Sequence, residues 1–282
     1  MAVPVGARPV VDEDPEHIEV ELLLEAVYRR YAYDFRGYAR ASLRRRLWRR
    51  AQLERVSTLS GLQERVLHDP VVMERLLRDL SINVTEMFRD PGFFRALRTK
   101  VVPILRTYPY VRIWNAGCST GEETFSLAIV LEEEGLLDRT RIYATDMNDD
   151  VLMRARSGGF PMDKMRRYTE NYLRAGGTGD FSRYYTVDGD RAQFSRALID
   201  GSVFAQHNLA QDGSFNEFQV IVCRNVLIYF ARPLQERVHD LFGDSLVRFG
   251  VLALGHKESI AGAFEDRYDV LDGPEKLYRR KR

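Results

Sequence analysis

The run Val111-Arg-Ile-Trp-Asn-Ala-Gly-Cys-Ser-Thr-Gly-Glu-Glu123 constrains this chain more than any other stretch. Branched and aromatic residues open it as a strand, and the small residues Ala116, Gly117, Ser119 and Gly121 form a turn. The two glutamates then suit the first turn of a helix, where acids oppose the helix dipole. Such a turn lets the backbone approach a ligand closely at a helix N-terminus. Farther on, Arg141-Ile-Tyr-Ala-Thr-Asp146 predicts a second strand with a carboxylate at its tip. That is the nucleoside-binding logic of doubly wound α/β folds, the carboxylate accepting ribose hydroxyls. The full G-x-G-x-x-G spacing is missing, which argues against a dinucleotide and favours S-adenosylmethionine. A plainer reading stands beside it, with Asp146 as N-cap of the helix that follows from Asn148.

The periodicity changes once along the chain. After a lead-in over residues 1–15 that reads as flexible, residues 16–90 carry apolar residues at three- and four-residue spacing and predict a small helical domain. Its stripes are Leu22, Leu23, Ala26 and Val27; Leu43, Leu47 and Ala51; and Val72, Leu76, Leu77 and Leu80, with Asp69-Pro70 as a helix start. A linker helix is expected over 91–109, through Phe93, Phe94, Leu97 and Val101. From 110 to 282 the strand-like runs Val111–Trp114, Ile142–Ala144, Val203–Ala205, Val220–Cys223 and Val251–Leu254 alternate with helix-length segments. That rhythm predicts a parallel sheet covered on both faces. Glycines and short alternating runs between about 177 and 202 predict a small antiparallel insertion, and Tyr268 to Tyr278 a closing hairpin.

Composition excludes several classes. With 45% hydrophobic and 29% charged residues the chain has the material for a core. No apolar run of ~18 residues is present to span a membrane, and the proline-broken N-terminus does not read as a signal peptide. Cys118 and Cys223 have neither metal-ligand nor disulfide-framework spacing, so no metal and a reduced cytoplasmic setting are expected. The net charge of +1 hides an asymmetry: between Tyr28 and Arg55 ten arginines stand against Asp34 and Glu54. Such a stretch suits nucleic-acid phosphates, an acidic protein surface, or simply solvent.

Four blocks, Asn83-Val-Thr-Glu-Met-Phe-Arg-Asp90, Ala116 to Glu123, Asp146-Met-Asn148 and Cys223-Arg-Asn-Val-Leu-Ile-Tyr-Phe230, carry a resemblance in this order and spacing. They are similar to the chemotaxis-receptor glutamate methyltransferases, the CheR-type family, and the run Tyr33 to Leu47 resembles that family's helical N-terminal domain. The likeness extends from about Glu16 to Arg279. It implies a methyltransferase-type doubly wound sheet with a small β insertion, preceded by an all-α domain. It also implies S-adenosylmethionine as cofactor, S-adenosylhomocysteine as product and glutamate side chains of a chemoreceptor as acceptor. By the same resemblance Asn83, Thr85, Arg89, Ala116, Gly117, Glu123, Asp146, Met147, Asn208, Leu209, Arg224 and Asn225 line the cofactor. Arg89 and Tyr229 stand by the reacting groups. Unaided, Glu123 is also a good first-turn acid, Asn208 a turn residue, Tyr229 a core aromatic and Arg89 a surface arginine; His207 reads as a structural neighbour. The departures are Met87 where many relatives have Phe and Thr124-Phe125 for a frequent Pro-Tyr; neither removes a polar contact.

Two other readings were open to the residues. A nucleic-acid methyltransferase is disfavoured at the fourth strand. Arg224-Asn-Val-Leu stands where adenine and amide methyltransferases have an Asn/Asp-Pro-Pro-aromatic turn, and Cys223 follows Val222 where cytosine C5 enzymes have a proline. A non-catalytic cofactor-binding module would keep Asp146 yet could lose Arg89 and Tyr229, and both are present. The expected partner is therefore the acidic helical region of a chemoreceptor or similar protein, with no nucleic acid and no membrane insertion.

Overall fold

A computed structural model describes residues 14–81, 85–260 and 262–281. The expected lead-in lies almost wholly outside the described residues, as does Asn83. Contacts divide the chain into two compact units, Met1–Ser81 and Ile82–Arg282.

The first unit is four helices: α1 (Pro15–Tyr31), α2 (Arg40–Leu53), α3 (Leu59–His68) and α4 (Pro70–Leu80). Asp14, Thr58 and Asp69 cap α1, α3 and α4 through side-chain oxygens, and Pro15 and Pro70 sit where a missing N–H costs nothing. Leu43, Leu47 and Ala51 are buried as expected, and so are Val72, Leu76, Leu77 and Leu80. In α1 the buried face is Val20, Leu23, Leu24 and Val27, whereas Leu22 is exposed, so the stripe is rotated by about one residue from the expected one. Trp48 is half-buried, its indole N–H donating to Glu16 at 2.5 Å.

Half of the ten arginines are neutralised inside this unit. Arg29 pairs with Glu25, Arg36 with Glu25 and Asp34, Arg40 with Glu21, and Arg44 with Glu16. Arg50 lies between Asp79 at 2.6 Å and Glu54 at 3.0 Å. Arg46 donates to the Leu80 carbonyl at 2.9 Å. Arg30, Arg45, Arg49 and Arg55 are exposed and make no ion pair among the described residues.

The second unit begins before residue 91, contrary to the expected boundary. Met87, Phe88, Phe93 and Phe94 are fully buried in one core with Val111, Ile113 and Phe125. Thr85 to Asp90 is a turn rather than a helix, with Phe88 and Asp90 in the left-handed region (φ 51° and 56°). The linker then follows as α5 (Pro91–Ala96), a π-helical turn at Leu97–Val101, and α6 (Val102–Leu105).

The main sheet is built from β1 (Val111–Ala116), β2 (Thr140–Asp146) and later strands, with α7 (Glu122–Glu133) between the first two and α8 (Asp149–Ser157) after the second. An insertion follows: β3 (Gly159–Pro161), α9 (Met165–Arg174), β4 (Tyr185–Asp188) and β5 (Arg191–Phe194). Its three strands pair antiparallel in the order β3-β5-β4, so it starts at Gly159 and not near 177. Then come β6 (Val203–Gln206), β7 (Phe218–Cys223), α10 (Arg232–Ser245), β8 (Leu246–Leu254), β9 (Tyr268–Asp272) and β10 (Leu277–Arg280). The sheet order is β6-β2-β1-β7-β8-β10-β9, parallel through β8 and antiparallel at β10 and β9. After β1 the chain builds outward through β2 and β6, then returns to place β7 on the other side of β1. That reversal puts a ligand crevice at the C-terminal ends of β1 and β7.

The interior of the sheet explains why the strands read as unbroken apolar runs. Every residue of β1 but Arg112 is buried, as are the last four of β7, because helices cover both faces. Trp114 is fully buried among His207, Phe215, Phe218 and Phe242, and its N–H donates to Thr145 at 2.8 Å.

Candidate active site

The turn after β1 is held by the tip of β2. The amides of Gly117 and Cys118 both donate to the Thr145 carbonyl, at 2.8 and 2.9 Å. Gly117 and Gly121 have φ of 78° and 96°, which a side chain would strain. At Gly117 a Cβ would also come within 2.5 Å of Val226 on the loop after β7, so this glycine lets the two loops close on each other. Ser119, likewise left-handed, donates its amide to Asp146 Oδ2 at 3.0 Å.

Asp146 therefore sits where the sequence places it, at the strand tip against the glycine turn. Its Oδ1 accepts the Asn148 amide at 3.0 Å. The N-cap of α8 is Asn148, whose side chain accepts from Asp150, so Asp146 does not cap that helix. An ionised carboxylate has about four acceptor positions. The amides of Ser119 and Asn148 take one position on each oxygen, and that of Met147 also acts on the carboxylate. Burial pushes the Asp146 carboxyl up, against the amides of Asn148, Ser119 and Met147.

Glu123 and Arg224 are bound to each other rather than left open. Arg224, with 1% of its side chain exposed, donates to Glu123 Oε2 at 2.7 Å and to Asp90 Oδ2 at 2.8 Å. Its guanidinium also lies 4.0 Å from the centre of the Phe93 ring and donates weakly to the Arg89 carbonyl. A buried guanidinium requires such partners. It clamps the Thr85–Asp90 turn to α7 and to the end of β7. Burial pushes the Glu123 carboxyl up, while the charges of Arg224 and Arg89 pull it down. Arg89 is thus close enough to act electrostatically on Glu123, and it is half-buried, as is Thr85. The turn is pinned on its other side as well: Phe88 donates its amide to Ser126 at 2.9 Å, and Asn171 of α9 donates to the Met87 carbonyl at 3.1 Å.

Beyond β7, Asn225 is left-handed (φ 61°) and half-buried, and Tyr229 closes a short turn, its amide donating to Val226. Beyond β6, His207 donates its amide to the Asp146 carbonyl at 3.1 Å and packs edge-on against Trp114, a structural neighbour. Asn208 is engaged in its own loop. Its Oδ1 accepts from Ala210 and its Nδ2 donates to Gln211, both at 3.0 Å. Of the two N–H bonds on Asn208 Nδ2, one is given to Gln211. Leu209 is buried, Ala116 ends β1, and Met147 is half-buried beside Asp146.

Three carboxylates near the site had no assigned role in the sequence reading. Asp90 holds Arg224. Glu122 is buried in the first turn of α7, bonded by Thr120 at 2.6 Å and by Tyr168 of α9 at 3.3 Å, and burial raises its pKa. Glu258, beyond β8, binds the loop after β7. Their partners are distant in sequence, so only the position of Glu122 beside Glu123 gave a signal. Both cysteines are buried: burial, then Asp146, pushes the Cys118 thiol up, and burial, then Glu258 and Glu123, raises that of Cys223. Neither is disposed to be a thiolate nucleophile. Among the described residues no cluster of His, Cys, Asp and Glu could hold a metal ion, and no helix is long and apolar enough to cross a membrane.

Comparison with known proteins gives the same two halves. The family model described as "CheR methyltransferase, SAM binding domain" matches residues 83–277, and "CheR methyltransferase, all-alpha domain" matches residues 18–81. A protein of Pseudomonas putida named Cher3 is 51% identical over 264 residues, 93% of this chain and 97% of that one. The chemotaxis protein methyltransferase of Listeria innocua is 30% identical over 236 residues, 83% and 87% of the two chains. Chemotaxis protein methyltransferase 2 of Pseudomonas aeruginosa is 31% identical over 222 residues, 77% and 78%.

Proposed function

Since the chain belongs to the CheR methyltransferase family, we propose that it methylates glutamate side-chain carboxylates on a chemoreceptor. The observation that carries the reading is Asp146, set at the tip of β2 and bonded to the glycine turn within a family whose domain binds S-adenosylmethionine. The bound cofactor supplies an electrophilic methyl group on a sulfonium sulfur.

Each residue of the chain then has a task that its position supports. Asp146 accepts the ribose hydroxyls; Ala116 and Gly117 let the backbone come close; Met147, Asn208 and Leu209 border the adenine. Thr85, Arg89 and Asn225 line the methionine end, and Asn83 joins them by sequence. Glu123 and Arg224 reach the cofactor through the ion-pair cluster they share, which holds the Thr85–Asp90 turn and the end of β7 in register. Arg89 and Tyr229 aim the acceptor. A glutamate carboxylate, ~4.3 in pKa, is ionised at neutral pH. It attacks with no proton to remove, so the protein's share is orientation and exclusion of water. Arg89 cannot favour a transition state in which sulfonium and carboxylate cancel; it anchors a carboxylate instead.

The acceptor's acidic helix docks on exposed arginines in and just beyond α2 that make no ion pair among the described residues, Arg45, Arg49 and Arg55. The test is transfer of radiolabelled methyl from S-adenosylmethionine to receptor cytoplasmic fragments. A label on the receptor that mild base releases as methanol is the expected result. A base-stable label, or label on RNA alone, would overturn the reading.

A further inference from the structure

Glu258 lies past the end of β8 in the run Gly255-His-Lys-Glu258 and is only 5% exposed. It makes no ion pair among the described residues. Its oxygens are filled by backbone amides instead. Oε2 accepts from Gly255 at 2.6 Å and Asn225 at 3.0 Å; Oε1 accepts from Val226 at 2.8 Å and Ile228 at 3.3 Å. A buried carboxylate without a cation is tolerated only when its lone pairs are satisfied in this way.

Three of the four donors belong to one loop, the loop that carries Asn225 and ends in Tyr229. Its far end is fixed separately, by Gln235 of α10 donating to the Leu227 and Phe230 carbonyls. Its near end must keep Asn225 left-handed, a conformation that costs a non-glycine residue free energy. Gly255 makes room for the arrangement: a Cβ there would lie 2.7 Å from Glu258 Oε2 and 2.8 Å from the Asn225 nitrogen. Through these bonds Glu258 lies against the loop that follows Cys223, and its charge raises the pKa of Cys223 and Glu123 alike.

We propose that Glu258 is a positioning residue for methyl transfer, an anionic peg around which the Asn225–Ile228 amides close so that Asn225 and Tyr229 face the reacting groups. The proposal rests on the reading of Asn225 and Tyr229 as site residues. It differs from a merely structural role in lowering turnover by more than cofactor affinity, because Asp146 and the amides of Ser119 and Asn148 that bind it make no bond to Glu258.

The experiment uses the full chain with receptor fragment as acceptor. Glu258→Gln sets an amide N–H₂ against two backbone donors, and kcat should fall about 100-fold, the scale of a misplaced reacting geometry. Affinity for S-adenosylhomocysteine by calorimetry should change less than about tenfold, the share of roughly one hydrogen bond. Glu258→Asp, which keeps both oxygens, should recover part of the rate. Gly255→Ala, which wedges a methyl group against the carboxylate, should reproduce the split. Thermal unfolding of each variant measures the folded fraction at assay temperature. A wild-type rate in Glu258→Gln, or a rate lowered only in proportion to unfolded protein or to lost cofactor, overturns the proposal. Two further variants separate the failures. If Asn225→Ala and Tyr229→Ala lose turnover while Glu258→Gln does not, only the proposal falls. If both retain the wild-type rate, the site reading falls and takes the proposal with it.

Discussion

Asp146 has a consequence for pH that follows from its burial. Its folded pKa is raised above the ~3.9 of an exposed aspartate. For the protein alone this stabilises the protonated form: the contribution is present at low pH and lost as pH rises through the folded value. Cofactor binding has the opposite sign, because ribose hydroxyls donate to the ionised carboxylate. Affinity for S-adenosylhomocysteine should therefore decline as pH falls, beginning above the range of an ordinary aspartate. Calorimetric titrations from neutral to acid pH check this against Asp146→Asn. The variant should lack that decline and bind more weakly at neutral pH by about 1.5–3 kcal/mol, the usual worth of a charge-assisted hydrogen bond. An equal decline in both proteins would assign the effect to another group.

At the scale of elements, α2 divides its arginines by partner. Arg44 is paired with Glu16 and Arg50 with Asp79 and Glu54, whereas Arg45 and Arg49 stand exposed one turn apart. Reversing Arg45 and Arg49 to Glu should lower the rate of receptor methylation, most at low salt, and leave cofactor affinity unchanged. Reversing Arg44 should act on α1–α2 packing instead, seen as a lower Tm. Rates and melting curves across a salt series distinguish the two. That division was illegible in the sequence, where ten arginines looked alike. The strands and the glycine turn were legible because burial on both faces leaves contiguous apolar runs and tight turns demand small residues. The insertion's first strand was not: Gly159-Phe-Pro161 is too short for any periodicity and pairs with Arg191 to Gln193. The Thr85–Asp90 turn was equally hidden, since left-handed backbone at Phe88 is set by the buried contacts of its ring with Phe94, Tyr172 and Phe181. At Asn208 the residue type suited both a turn and a ligand, and the local loop takes most of the amide.

The chain divides into two compact units, and the two tryptophans fall one in each. Trp48 is half-wet and bonded to an acid; Trp114 is sealed among aromatic rings, its N–H on Thr145, next to Asp146. Each unit thus contains its own fluorophore, with a different environment and a different emission colour. Trp48→Phe should leave a blue-shifted spectrum that follows only the second unit in urea, and Trp114→Phe a redder one that follows only the first. Coincident transitions in the two variants would mean that the units unfold as one. Because Thr145 also accepts the amides of the glycine turn, the Trp48→Phe protein should change its emission as S-adenosylhomocysteine is added, which turns a core side chain into an optical gauge of site occupancy.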